Sequence, residues 1–201
     1  MRIVIMAGGK STRLRPLTDY MPKIMVPIHG KPFLFYLVKR YGNAELVLSV
    51  NYLKESIKNW CRQTKNYLEF VEEPEFLGTG GGLRICEPFV CDCKKFIVMN
   101  GDTCFDEDIE KIYRLHNSKK HVATVIYAKN KLTREIRNSG FYVFSQEVFK
   151  YLKSPKIFKI EDKLNDIPHK IYESKKEYVD IGTFEGLKYA KQNLLKELIC
   201  V

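Results

Sequence analysis

The chain has 201 residues, 45% apolar and 12% aromatic, with 34 Lys and Arg against 24 Asp and Glu for a formal charge of +10. That length buries a sizeable core in one domain without disulfide staples, and no run approaches the ~20 apolar residues that span a bilayer. The apolar start stops at Gly8, unlike a secretory leader, so a cytoplasmic protein with a single domain over 1–201 and no membrane partner is expected.

The basic surplus is diffuse. Residues 150–176 hold eight lysines and four acids, and 129–137 hold four cations and one acid. Without arginine–aromatic interleaving or a nucleic-acid motif, this predicts a solvated basic surface whose field favours phosphorylated small molecules over nucleic acid. Of the cysteines (Cys61, Cys86, Cys91, Cys93, Cys104, Cys200), Cys91-Asp92-Cys93 lacks the C-x₂-C spacing and nearby histidine of a zinc site, so scattered reduced thiols are expected.

In chain order, residues 2–7 predict a buried strand feeding Ala7-Gly8-Gly9-Lys10-Ser11-Thr12-Arg13-Leu14-Arg15-Pro16. Gly9-Lys10-Ser11 spells the end of a Walker A loop. Its first glycine would fall at Val4, however, and Pro16 stands where the helix behind the lysine should run, at a cost of about 3 kcal/mol or more. G-x-G-x-x-G is absent as well. What remains is a strand, paired glycines whose amides can approach an anion, and Arg13 with a planar fork for phosphate oxygens. Pro22-Lys23 then supplies a second cation on a stiffened segment before Pro27. The plain alternative is a proline-rich surface loop.

Residues 32–41 predict a helix opened by Pro32, with Phe33, Leu34, Leu37 and Tyr41 on one side. A strand over 45–50 follows, then a helical face of Leu53, Ile57, Trp60 and Cys61, then a strand over 67–71. The stretch Glu72-Glu73-Pro74-Glu75-Phe76-Leu77-Gly78-Thr79-Gly80-Gly81-Gly82 reads as a turn whose glycines let backbone wrap a flat ring. A strand over 95–100 runs into Gly101-Asp102, and Asp106, Glu107 and Asp108 form the acidic start of a helix bearing Ile109, Ile112, Tyr113 and His116. Strands over 121–128 and 141–144 precede a last helix with Leu187, Ala190, Leu194 and Leu198. The alternation predicts an α/β fold, a Rossmann-like open and mostly parallel (mixed) sheet with helices on both faces in three α/β/α layers. Ligands in such sheets bind beyond the carboxyl ends of the strands.

The string G-G-x-x-T-R-L-x-P-x-T over 8–18, with P-K and P over 22–27, resembles the N-terminal signature of the sugar-1-phosphate nucleotidyltransferases. The resemblance covers nearly the whole chain. It implies transfer of a nucleoside monophosphate from an NTP to a sugar 1-phosphate with release of pyrophosphate. Arg13 and Lys23 would be catalytic. Ala7, Gly8, Gly9, Ser11, Thr12 and Arg13 would bind the nucleotide, with Glu72 or Glu73 and Gly78, Thr79 and Gly80 at the base. Guanine presents N1–H and N2–H₂ donors that one carboxylate can accept together, whereas uracil and thymine suit an amide, so the acidic residue favours GTP. Asp102, in G-D, and Asp180, in Tyr178-Val179-Asp180-Ile181-Gly182-Thr183, match the family's Mg²⁺ ligands. Gly101, Asn138 and Gly140 (Asn138-Ser139-Gly140-Phe141-Tyr142-Val143) and Glu161 (Phe158-Lys159-Ile160-Glu161-Asp162) would face the sugar.

Two positions depart from the pattern. Ser11 replaces a usual glycine; if φ is positive there it bears strain of order 1 kcal/mol, and otherwise its hydroxyl can contact phosphate. The usual E-K-P segment, whose lysine holds the sugar phosphate, is absent between 128 and 138, leaving Lys129, Lys131, Arg134 and Arg137 as candidates to replace it. L-G-T-G-G-G, N-G-D-T and K-P-F-L most resemble heptose 1-phosphate and mannose 1-phosphate guanylyltransferases. An N-acetylmuramate 1-phosphate uridylyltransferase, another UTP- or dTTP-using enzyme, and a catalytically silent nucleotide-binding subunit are the alternatives. The expected partners are an NTP and a sugar 1-phosphate, with a homo-oligomer left open.

Overall fold

The computed structural model describes residues 1–153 and 156–198, with 194–198 by backbone path only. Cys200 and the side chains of Leu194 and Leu198 lie outside the described residues. In chain order the strands are β1 (Arg2–Met6), β2 (Pro27–Ile28), β3 (Lys31–Pro32), β4 (Glu45–Val50), β5 (Glu69–Glu72), β6 (Lys95–Asn100), β7 (Thr103–Phe105), β8 (Ala123–Asn130), β9 (Ile136–Ser145) and β10 (His169–Asp180). The helices are α1 (Phe33–Tyr41), α2 (Lys54–Gln63), α3 (Gly78–Ile85), α4 (Ile109–Leu115) and α5 (Phe184–Leu198).

One eight-stranded sheet runs β5-β4-β1-β6-β9-β8-β10-β7, and β2 and β3 form a separate two-stranded hairpin. The first four strands are mutually parallel, β9 runs antiparallel to both β6 and β8, β10 is parallel to β8, and β7 closes the edge antiparallel to β10. Two core layers follow from the period-two alternation of the strands. Ile3 and Ile5 face one layer with α1, α2, α4 and α5, through Phe33, Leu37, Ile57, Ile112 and Leu187. Val4 and Met6 face the other, with Leu83 of α3 and the irregular segments that carry Val148, Phe158 and Ile160. The mixed three-layer α/β/α arrangement agrees with the sequence-based expectation.

Several elements differ from it. Residues 78–85 form a helix instead of an open turn. Gly80 is required there because a Cβ would lie 2.3 Å from the Phe158 ring, so the glycine run serves close packing of α3 against 156–160. β10 has no counterpart among the expected strands; its outer half exposes Lys170, Ile171, Glu173 and Lys175, so it lacks the apolar signature of a buried strand. β7 interposes between Asp102 and α4, and it is Asp108 that caps α4, accepting from Lys111 N at 2.9 Å. Arg40 draws Asp106 away to 3.1 Å. Pro32 is the N-cap of α1, so the helix begins at Phe33, one residue after the expected start.

β10 turns into α5 through Ile181–Thr183. Gly186 lets the helix pass so close that an added Cβ would stand 1.9 Å from the carbonyl oxygen of Asp180. Gly186→Ala gains helix propensity of about 1 kcal/mol but forces backbone against backbone. We expect a net loss of about 2 kcal/mol or more and a fall in Tm on the order of 5 °C by thermal unfolding; an unchanged Tm would contradict this packing.

Candidate active site

Strand order reverses at β1: β4 and β5 lie on one side and β6 on the other, which opens a crevice beyond the carboxyl ends of the parallel strands. A cavity of about 850 Å³ occupies it. The loop after β1 (Ala7 to Arg13), the end of β6 (Asn100 to Asp102) and the start of α3 (Gly78, Thr79) supply its walls, with Lys23, Glu73, Phe76, Lys159, Glu161 and Asp162. The loop is anchored by Ala7 N donating to Ser49 O at 2.8 Å and Gly101 N donating to Met6 O at 3.0 Å. It then descends through short 3-10 turns at Thr12–Leu14 and Leu17–Asp19, with Pro16 between them, so no P-loop helix forms.

Asp102 and Asp180, far apart in the chain, meet because β7 pairs with β10. Asp180 registers with Thr103, and Ile181 N donates to Asp102 O at 2.9 Å. Lys23 Nζ stands 2.5 Å from Asp102 Oδ2, and Arg13 Nη2 stands 3.5 Å from Asp180 Oδ2. Three of these side chains converge over Gly182, where a Cβ would lie 2.6 Å from Asp180 Oδ1, 2.7 Å from Lys23 Nζ and 3.0 Å from Arg13 Nη2, and Asp102 joins them through Lys23. Burial alone would raise the Asp102 carboxyl, but the Lys23 ammonium and then Arg13 override it and hold Asp102 below the ordinary aspartate value. For Asp180, burial first and the Asp102 charge second outweigh Lys23, the Gly182 N–H and Arg13, and its carboxyl sits above that value.

The donor set fits Mg²⁺. No cluster of three or more His, Cys, Asp or Glu able to hold a metal occurs among the described residues. Two facing carboxylates are the sparse protein share that Mg²⁺ takes when phosphate oxygens and waters complete its octahedron.

The two glutamates separate cleanly. Glu72 turns out of the cavity; Lys54 at 2.6 Å and Lys58 hold its carboxyl down to about 2. Glu72 does not line the cavity. Glu73, only 3% exposed, forms the cavity floor against Gly8. Ser49 Oγ donates to its Oε1 at 2.7 Å and Leu77 N to its Oε2 at 3.4 Å. Burial nevertheless pushes its carboxyl up, against those two donors. Phe76, missed in the sequence, presents a half-exposed ring beside it.

Glu161 and Gly101 line the cavity, whereas Asn138, Gly140 and Gly80 do not. Asn138 acts at one remove: its Nδ2 donates to Tyr142 Oη at 2.9 Å, and Tyr142 Oη donates to Glu161 Oε1 at 2.9 Å. Gly140, at φ +78°, packs against the side chain of Asn100, which does line the cavity. Gly80 N donates to Phe158 O at 3.0 Å. Lys129, Lys131, Arg134 and Arg137 sit in or beside the β8–β9 hairpin and none lines the cavity. Arg134 pairs with Glu177 at 2.9 Å, Arg137 with Glu135, and Lys131 lies over the Tyr189 ring. The cations that line it beyond Arg13 and Lys23 are Lys10 and Lys159. Lys159 was within reach of the sequence, two residues before Glu161. The thiols of Cys61, Cys86, Cys91, Cys93 and Cys104 are free and none lines the cavity. Among the described residues, no helix is long and apolar enough to cross a membrane.

A loop of glycines and cations beyond β1, with Asp102 on the wall of a switch-point crevice and Asp180 paired to Arg13 outside its lining, defines a nucleotide-handling site. The sequence profile described as "Nucleotidyl transferase" matches residues 2–136, and the chain belongs to that family. D-glycero-alpha-D-manno-heptose 1-phosphate guanylyltransferase of Campylobacter jejuni is 30% identical over 192 residues, covering 83% of this chain and 86% of the relative. Bifunctional protein GlmU of Methanocaldococcus jannaschii is 30% identical over 198 residues, and there the chain spans about half of the relative's length (48%). The crystal structure of HddC from Yersinia pseudotuberculosis superimposes with a TM-score of 0.80 at 26% identity, over 96% of this chain and 99% of that one; HddC is also solved complexed with GMP-PN.

Ser11 has φ 55° and ψ 41°, the left-handed conformation, and its hydroxyl reaches only Gly9 O at 3.3 Å. Strain there outweighs the flexibility that glycine adds to the unfolded chain. Ser11→Gly therefore raises Tm by about 1–3 °C, measured by thermal unfolding. A lowered Tm would show that the hydroxyl's contact matters more than the backbone.

Proposed function

We propose that the chain transfers a nucleoside monophosphate from an NTP, GTP in preference, to a sugar 1-phosphate of the heptose or mannose type, releasing pyrophosphate. The observation that carries this is the cluster of Asp102, Lys23 and Arg13 on the cavity wall, with Asp180, which does not itself line the cavity, paired to Arg13. Asp102 and Asp180 would hold Mg²⁺, which when bound neutralises triphosphate oxygens.

The rest is the work of the chain's own groups. The acceptor phosphate is already an anion, so no general base is needed. The task is to bring two anions in line and stabilise charge at the α-phosphorus. Two unit charges ~4 Å apart repel by ~4 kcal/mol at an effective dielectric of 20. Lys23, at the α-phosphate or the attacking phosphate, and Arg13, on the departing pyrophosphate, offset that repulsion. The Gly8–Thr12 amides cradle the triphosphate. Glu161, oriented by Tyr142, accepts from sugar hydroxyls.

GTP is favoured because the floor of the cavity is a carboxylate. Glu73 keeps free lone pairs beyond those used by Ser49 and Leu77, and the two adjacent donors of guanine would favour its ionised form against burial. The GMP-PN complex of HddC supports the same choice of base.

A pyrophosphate-release screen of four NTPs against sugar 1-phosphates with Mg²⁺ tests the proposal. Turnover with GTP and a mannose or heptose 1-phosphate is expected. Silence across the panel with nucleotide still bound would favour a catalytically silent subunit. In the same assay Glu73→Gln lowers the GTP:UTP ratio of kcat/KM by at least ~10-fold, because an amide places a donor where guanine also donates. An unchanged ratio would remove Glu73 from base selection.

A further inference from the structure

Among the described residues four cations line the cavity, and they divide into two pairs. Arg13 and Lys23 are committed to Asp180 and Asp102. Lys10 and Lys159 form no ion pair with a described residue. Lys10 rides on the glycine loop, whereas Lys159 is held from its backbone. Phe158 N donates to Leu77 O at 3.1 Å, Gly80 N to Phe158 O at 3.0 Å, and Ile160 N to Thr79 Oγ1 at 3.0 Å. Asp162 Oδ2 accepts the N–H of Lys159 itself at 2.8 Å. The Phe158 ring, buried in the space that Gly80 leaves, locks the segment onto α3. Lys159 thus presents an exposed, unspent ammonium from a fixed base on the cavity wall.

Two residues on, the same wall carries Glu161, whose Oε1 is fixed by Tyr142 Oη. A cation beside an oriented carboxylate matches a ligand with a dianionic phosphate at one end and hydroxyl donors along its body. No cation of the β8–β9 hairpin reaches the cavity to serve that phosphate.

We propose that Lys159 binds the phosphate of the acceptor sugar 1-phosphate and thereby sets both its affinity and its position for attack. The assignment rests on the transfer reaction proposed above. It makes Lys159 a substrate-binding residue that selects phosphorylated sugars, in addition to Lys23 at the reacting centre and apart from Arg13 on the departing pyrophosphate.

The test is steady-state kinetics on the full chain and its Lys159→Ala and Lys159→Arg variants, with GTP and mannose 1-phosphate or the best pair from the NTP screen. In Lys159→Ala the acceptor KM rises about 10- to 100-fold while the NTP KM stays within ~3-fold, and Lys159→Arg recovers most of the loss. Inhibition by inorganic phosphate, competitive with the acceptor, weakens in proportion. An unchanged acceptor KM, a parallel rise in the NTP KM, or a defect confined to sugars carrying a second anion would overturn the assignment alone. Silence of the unmodified chain with every pair would overturn the transfer reaction and this assignment together.

Discussion

The pairing of β7 with β10 is the constraint on which the site depends. Three residue pairs, Phe105 with Tyr178, Cys104 with Val179 and Thr103 with Asp180, set the register. The bond from Ile181 N to Asp102 O then carries the pairing into the turn where the two aspartates meet. A slip of one residue would turn Asp180 to the opposite face of the sheet and break the site while leaving both strands formed. The register is secured from both sides. Phe105 and Tyr178 pack edge to face at 6.1 Å, Val179 and Ile181 are buried, and Gly186 lets α5 close directly over the carbonyl of Asp180.

Bringing two carboxylates together out of bulk water is costly, and the chain meets that cost with cations instead of neutralisation. Lys23 and Arg13 come from the segment after β1, on the other side of β6 in the sheet order, so strand order and charge balance are one problem. The result is asymmetric: Asp102 is held ionised by its lysine, while Asp180 is pushed toward its neutral form by burial and by Asp102. Removing one member of such a cluster leaves an uncompensated charge, which is more damaging than the modest worth of any single pair. The Glu73 end of the cavity follows a different logic. Glu73 is buried with neutral donors only, so it is poised for a ligand that brings hydrogens of its own.

Much of this was legible in the sequence, and the failures have physical causes. β1, β4 and β6 announce themselves as apolar runs because both their faces are covered. The glycine loop, Arg13, Lys23, Asp102 and Asp180 could be picked out because each follows a strand or precedes a helix at a recognisable spacing. β10 was hidden because half of it is exposed and lysine-rich, and α3 because glycine is a poor helix former whose presence there answers to Phe158, a residue far along the chain. Glu72 and Glu73 could not be told apart by type; alternation along β5 and the loop beyond decides which faces Lys54 and which faces Gly8. The cations of the short β8–β9 connection stay out of the cavity because a tight hairpin has no reach. Asn130 closes it by accepting from Leu132 N and Thr133 N, and Arg134 and Arg137 pair with Glu177 and Glu135.

The central claim is that the acid pair and its cations perform nucleotidyl transfer. Turnover of Asp102→Asn with Mg²⁺, on protein shown to be folded by its thermal transition, tests it most directly. The account predicts a fall in kcat of at least ~100-fold, the scale of losing one transition-state contact, with nucleotide binding retained. Near-normal turnover in that variant would contradict it.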